Sequence, residues 1–245
     1  GGSGKSTTCC NVGYSMAVEG KKVLLIDGDM QMNLTLSFFD DETSLAFAKN
    51  GENLYAAVRE GRDLRGFIKK TAYENLDIIP SSTLMSGIEY DLFTMWQREL
   101  ILKQGLKAVK ESGVYDYILI DAPPTLGCWV MNILCASDFL IIPVEASPWG
   151  LFGLANMFEF CEKVNRISPD LCILGVAVTK VNDRKNYFKQ TVEVLSEMEK
   201  EKDIHLFRNY IRVDSTIEKS QDDSKPVMAY KRTSRAAEEY MALAT

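Results

Sequence analysis

Histidine is almost missing from this chain of 245 residues; His205 stands alone. That argues against His-dependent catalytic triads and His-rich metal centres. No two of the six cysteines, at 9, 10, 128, 135, 161 and 172, have C-x-x-C spacing. Zinc-binding and thioredoxin-like readings therefore lack support. Most of these cysteines lie in apolar stretches such as Asn132-Ile133-Leu134-Cys135, so they are expected to be reduced and buried in a cytoplasmic protein. No apolar run approaches the roughly 18 residues that suggest a membrane span. No secretory leader is expected, because the sequence opens on a polar, glycine-rich segment. Positive charge is in the minority: 28 Lys and Arg face 34 acids, a net charge of −6. A surface that coats nucleic acid as a whole is thereby excluded, but a local basic patch is not.

What is present is globular. Apolar residues make up 46% and charged residues 25%, a balance that excludes disorder and fibres. There is no internal repeat, low-complexity tract or Pro/Ser-rich linker, so residues 1–245 are expected to form a single domain. Short apolar runs alternate with longer amphipathic ones. Strands are predicted at Val23-Leu24-Leu25-Ile26, Leu76-Asp77-Ile78-Ile79, Tyr117-Ile118-Leu119-Ile120, Phe139-Leu140-Ile141-Ile142 and 173–178, with a sixth around 206–211. Helices are predicted at about 5–19, 92–112, 149–166, 184–200 and 233–243. Unbroken apolar runs suit strands covered on both faces. The alternation predicts a doubly wound α/β fold with a mostly parallel sheet and helices on both faces.

The most informative segment is the first. Gly1-Gly2-Ser3-Gly4-Lys5-Ser6-Thr7 carries the end of a P-loop, G-K-[ST]. Glycines let backbone N–H groups curl around phosphate oxygens without Cβ clashes. A helix starting near Lys5 points its positive end at the same phosphates. Lys5 is expected to reach the β- and γ-phosphates, and Ser6 to offer its hydroxyl to Mg²⁺. Such a loop follows a strand. We therefore expect a strand of about 5–6 residues ahead of Gly1, central in the sheet, and a helix that runs on past Thr245. Two further segments agree. Asp121 ends an apolar strand, where P-loop enzymes place an acid that holds Mg²⁺ through water, and Pro123 and Pro124 stiffen the turn after it. Asp27 and Asp29 flank Gly28 at the end of another strand, which brings two carboxylates to the carboxyl edge of the sheet. With no histidine nearby, a carboxylate is the natural group to orient an attacking water.

These segments, in this order, resemble the ParA-type partition ATPases of the deviant Walker-A class, which also contains the MinD proteins. Gly1 to Thr7 is similar to the tail of that family's K-G-G-x-G-K-[ST]-T loop. Asp27-Gly28-Asp29-Met30-Gln31-Met32-Asn33-Leu34-Thr35 resembles its D-x-D-P-Q-x-N-x-T segment, and Tyr115 through Gly127 its Y-D-Y-hhh-D-x-P-P-S-L-G segment. Asn132, Ala136, Asp138 and Pro143-Val144 continue in register. Residues 211–238 look like the family's closing part. The resemblance implies that Gly1, Gly2 and Gly4, with Ser3, shape the loop. It implies that Lys5 binds phosphate, Ser6 binds Mg²⁺ and Thr7 contacts the α-phosphate side. It further implies that Asp29 orients the water, Asp27 supports the Mg²⁺ site and Asp121 is the Walker-B acid. The implied reaction is slow ATP hydrolysis, stimulated by a ParB-type centromere-binding partner, with ATP closing a homodimer. Two departures stand out. Met30 occupies a position where proline is usual, and Met32 one where glycine is common; both add apolar bulk beside the expected γ-phosphate site and put the hydrolysis rate in question.

The resemblance also implies sequence-independent DNA binding and a cytoplasmic, nucleoid-associated location. Net charge opposes DNA binding, so local charge decides. Lys180, Arg184, Lys185 and Lys189 face one nearby acid, Asp183; Lys225, Lys231, Arg232 and Arg235 lie in a stretch with none. Groups of this kind neutralise phosphates and give salt-sensitive affinity. The alternatives at this level are a MinD-like membrane-positioning ATPase and a nucleotide-dependent scaffold with little hydrolysis. The first expects a basic amphipathic closing helix, whereas the residues after Arg235 are rich in Ala and Glu. Asp29 argues against the second.

Overall fold

The computed structural model describes residues 2–182, 186–202 and 204–245. Gly1 and two of the expected DNA contacts, Arg184 and Lys185, lie outside the described residues. Helix α1 (Lys5–Val18) leads into strand β1 (Val23–Asp27), followed by α2 (Asn33–Leu36), α3 (Asp41–Lys49) and α4 (Leu54–Arg59). Next come β2 (Lys69–Lys70), β3 (Leu76–Ile79), α5 (Ile88–Phe93), α6 (Ile101–Glu111), β4 (Tyr117–Asp121) and α7 (Cys128–Ala136). Then follow β5 (Phe139–Glu145), α8 (Pro148–Val164), β6 (Cys172–Thr179), α9 (Asn186–Lys202), α10 (Ser215–Asp222), α11 (Val227–Tyr230) and α12 (Arg235–Ala244).

The sheet order is β2-β3-β1-β4, with β1 parallel to both β3 and β4 and only the short β2 antiparallel. Strands β5 and β6 form a second, parallel pair. Val23, Leu24, Leu25 and Ile26 of β1 are wholly buried, as an unalternating apolar run in a doubly covered sheet requires. Leu24 and Ile26 face the layer of α4, α6 and α7, while Val23 and Leu25 face α1. Helix α1 also spans the two sheets: its Val12 shares a cluster with Ala177 of β6, against which Leu119 of β4 and Ile141 of β5 pack.

Local chemistry starts and stops these elements. Asp40 caps α3 by accepting from Thr43 N at 2.8 Å, with Asp41 and Glu42 in the first turn, where carboxylates meet the positive end of the helix dipole. Ser147 caps α8, and Pro148 occupies the first turn. In α6, Leu102, Leu106 and Val109 are buried, a stripe at helical spacing.

Two expected elements differ. The helix predicted over 92–112 is broken into α5 and α6. Gln97 takes a left-handed conformation, φ 52°. The buried Asn132 of α7 then holds the turn, donating to Arg98 O and accepting from Leu102 N at 3.2 Å. The sixth strand, expected over 206–211, is reduced to isolated bridges at Leu206 and Arg212. Phe207 N bonds Val176 O and Ile211 N bonds Val178 O. The segment thus uses four residues where β6 uses two, and it bulges away from the ladder. The cysteines differ in part as well: Cys10, Cys135 and Cys161 are buried, Cys9 and Cys128 are half-buried, and Cys172 is exposed. All six are free thiols.

Candidate functional site

The phosphate-loop residues meet the ends of β1, β4 and β6. Gly2 (φ 97°) and Gly4 (φ 79°) both adopt left-handed backbone, which only glycine takes without strain. Gly4 is the N-cap of α1, and no side chain caps that helix or adds an acid to its first turn. Its leading N–H groups are thus left for an anionic ligand. Thr179, the last residue of β6, donates its hydroxyl to Ser3 O at 2.8 Å and ties the loop down. Asn11 Nδ2 donates to Thr7 O at 2.8 Å, and Gln221 Nε2 of α10 donates to Thr7 Oγ1 at 3.0 Å.

Asp27 and Asp121 end adjacent strands and are paired in register. Both are buried. Asp27 is anchored: Oδ2 accepts from Thr35 N (2.8 Å) and Thr35 Oγ1 (2.7 Å), and Oδ1 accepts from Asp29 N (3.1 Å). Burial still pushes its carboxyl up to about 6, against the pull of those bonds. Asp121 is different, because neither of its oxygens has a hydrogen-bond partner among the described residues. Burial first, and then the Asp27 charge, push it up to about 7, although the Ser6 hydroxyl and the Lys5 ammonium are near enough to favour the ionised form. An orphaned, buried carboxylate beside a serine hydroxyl and a second acid is an oxygen-rich set suited to a hard cation such as Mg²⁺. The residues therefore fit the ion that the sequence implies.

Asp29 is also buried. Its Oδ1 accepts from Gln31 N at 3.0 Å, and its backbone oxygen accepts from Ser81 Oγ at 2.7 Å. Ser81 N in turn donates to Thr35 Oγ1 at 3.0 Å. The two methionine departures separate here. Met30 is exposed, whereas Met32 turns inward and is buried. Met32 has a left-handed φ of 58°, the conformation that glycine favours, which agrees with the glycine that the resemblance implies at this position.

Of the other candidates, Lys180 lies at the phosphate loop rather than with a distant basic patch. A Cβ on Gly2 would stand 3.8 Å from its Nζ, and Lys180 itself has a left-handed φ of 52°. Lys189 is exposed on α9, and Lys231 and Arg232 are exposed between α11 and α12. Arg235 is engaged: its guanidinium donates to Val213 O at 2.8 Å and lies within 3.8 Å of Asp214 and Glu239. Thr35 was inside a recognised segment without an assigned role. Ser81, Thr179, Gln221 and Trp129 carry no local signal that would have drawn them to the site, since each reaches it only through packing.

Fold and loop together define a P-loop nucleotide-binding protein of the α/β class. A family model described as an AAA domain matches residues 1–173. The sporulation initiation inhibitor protein Soj of Bacillus subtilis is 35% identical over the whole chain and 93% of its own length. The chromosome partitioning protein ParA of Caulobacter vibrioides is 29% identical over the whole chain and 89% of its own. Among solved structures, an McdA–ATP complex from Cyanothece superposes with a TM-score of 0.84 at 23% identity, over 100% of this chain and 92% of that one. The chain belongs to the ParA/Soj family of P-loop ATPases. Among the described residues, no helix is long and apolar enough to cross a membrane.

Proposed function

We propose that this protein is an ATP-driven DNA-partition switch. One observation carries the reading: the phosphate loop, the Asp27–Asp29 turn and the unpartnered Asp121 carboxylate converge at the carboxyl ends of neighbouring strands. That is where α/β sheets place their ligands. In this reading Gly1, Gly2, Ser3 and Gly4 wrap the polyphosphate with backbone N–H groups, and Lys5 binds the β- and γ-phosphates. Thr7 faces the α-phosphate. Ser6, Asp27 and Asp121 hold Mg²⁺, the two acids through water. Bound Mg²⁺ supplies positive charge against the phosphate oxygens. Asp29 orients a water in line with the γ-phosphorus; the new P–O bond forms as the bridging oxygen leaves with ADP. Residues 1–245 act as one domain throughout.

Kinship with a chromosome partitioning protein supports the partition role. ATP closes a two-fold dimer, an isologous arrangement. Met30, Leu126, Trp149 and Phe152 are exposed in the segments that follow β1, β4 and β5, and they offer apolar surface around the nucleotide. The dimer binds DNA without sequence preference through Lys189, Lys231 and Arg232, with Arg184, Lys185 and Arg235 as further candidates. Two copies of a modest patch on one body add by avidity. A ParB-type partner speeds hydrolysis and resets the switch. The test is a mobility-shift series with random-sequence duplex, with ATP or ADP, at several salt concentrations. Binding only with ATP, weakening steeply with salt, is expected. Equal binding with both nucleotides would remove the mechanism.

A further inference from the structure

Trp129 is tied to the candidate site by more than burial. Its indole is 2% exposed, in the first turn of α7. A buried indole N–H needs an acceptor. The acceptor here is Gly28 O, at 2.8 Å, the carbonyl between Asp27 and Asp29. The N–H of the same glycine donates to Asp121 O at 3.0 Å. Gly28 is thus held from both sides, by β4 through its nitrogen and by α7 through its oxygen. The space is closed around it. A Cβ on Gly28 would stand 2.6 Å from Asp121 O, 3.1 Å from Ile133 Cδ1 and 3.4 Å from Trp129 Nε1. Rotation of the Gly28–Asp29 peptide would break the indole bond, and the same rotation would swing the Asp29 carboxylate.

Trp129 is itself fixed from a second element. Gly127, the N-cap of α7, has no side chain to cap that helix. The Glu89 carboxylate of α5 does so instead, accepting from Cys128 N and Trp129 N, each at 3.0 Å. A carboxylate at a helix N-terminus is favoured by the helix dipole as well as by the two bonds. The connection runs from Glu89 through the first turn of α7 and the indole to the Gly28–Asp29 peptide.

We propose that Trp129 is a positioning residue for hydrolysis. It holds the Gly28–Asp29 peptide so that the Asp29 carboxylate meets the attacking water, and Glu89 fixes the helical turn that carries it. The inference rests on the reading of Asp29 as the water-orienting group. The test compares the full-length protein with Trp129→Phe, which keeps an aromatic ring but removes the indole donor together with part of a fully buried side chain, and with Asp29→Asn. Trp129→Phe is expected to lower kcat by about 10- to 100-fold, the scale of a small misplacement of a reacting group. The Kd for Mg²⁺ with a non-hydrolysable ATP analogue should stay unchanged, a split that a purely structural role would not give.

In ¹⁵N-labelled protein the Trp129 indole N–H should exchange slowly with solvent. Trp96 and Trp149, 89% and 83% exposed, should exchange fast. An unchanged kcat in Trp129→Phe, or a fast-exchanging Trp129 indole, overturns the inference. If Asp29→Asn hydrolyses ATP at the wild-type rate, the Asp29 reading falls instead; if Asp29→Asn is inactive while Trp129→Phe is wild-type, only the Trp129 inference falls. Should Trp129→Phe fail to fold, Glu89→Gln carries the same test, because it keeps the shape and weakens the cap. A lowered kcat with unchanged Kd supports the inference there, and an unchanged kcat overturns it.

Discussion

Replacing Asp121 with asparagine should make the nucleotide-free protein more stable while abolishing its metal-dependent chemistry. The carboxylate is buried with neither oxygen hydrogen-bonded among the described residues, beside the equally buried Asp27. Its carboxyl is held at about 7, from an ordinary 3.8. The sign follows from that direction. Below about pH 4 the group is protonated in both the folded and unfolded chains and takes nothing from stability. Between about pH 4 and 7 the unfolded chain ionises first, so the folded state loses ground as pH rises. Three pH units at about 1.4 kcal/mol each set a ceiling of roughly 4 kcal/mol at neutral pH, part of which belongs to the neighbouring Asp27 charge and not to Asp121 alone. Asparagine removes the charge but leaves a buried amide to satisfy, which returns roughly 1–2 kcal/mol. The net gain expected for Asp121→Asn at pH 8 is about 2 kcal/mol, shrinking to zero or reversing below about pH 4. The assay is denaturant unfolding in EDTA from pH 4 to pH 8, for wild type and variant. Adding Mg²⁺ with ADP should stabilise the wild type more than the variant, which keeps the phosphate loop but loses one of the groups that hold the metal, since a ligand stabilises a protein in proportion to how tightly its folded state binds it. A variant less stable than wild type at pH 8 in EDTA, or a difference independent of pH, would refute the reasoning.

Gly28→Ala should destabilise the fold by about 1–3 kcal/mol, because the added methyl meets the Asp121 carbonyl oxygen in a closed space; chemical denaturation measures it. Thr35→Val keeps the volume but removes the hydroxyl that donates to Asp27 and accepts from Ser81 N. A loss of about 1–3 kcal/mol is expected, together with slower ATP turnover. Lys180→Ala should weaken ATP binding in an equilibrium titration and leave the salt dependence of DNA binding unchanged, since its ammonium lies at Gly2. Replacing Lys231 and Arg232 together with glutamate should do the reverse. DNA binding should weaken for every sequence, with a salt slope shallower by up to about four, two contacts from each protomer of the dimer, and ATP affinity should be untouched.

Much of the architecture was legible in the sequence, because it depends on local chemistry. The apolar runs at 23–26 and 76–79 became buried, parallel strands, since an unalternating run is satisfied between two covering layers; the run at 117–120 joined the same sheet as a parallel strand but is half-buried, with Tyr117 exposed. Gly2, Gly4 and Lys5 identified the loop because the left-handed backbone and the helix start are written in adjacent residues. That Asp27 and Asp121 each end a strand was legible too, but only the sheet order made those strands neighbours and paired the two acids in register. Tertiary structure decided the rest. Asn132 broke the helix expected over 92–112 from thirty residues away in sequence, by offering its amide to the backbone at 98 and 102. The segment at 206–211 has the composition of a strand but bulges from β6, because its register is set by where its bonds to Val176 and Val178 fall. Lys180 reads in sequence as one more basic residue near a charged loop; the end of β6 brings it to the phosphate loop instead. Trp129 shows the limit most clearly. Its sequence neighbours mark it as core, and core it is, but the direction of one indole N–H toward Gly28 depends on how α7 packs over β1, and no local pattern encodes that.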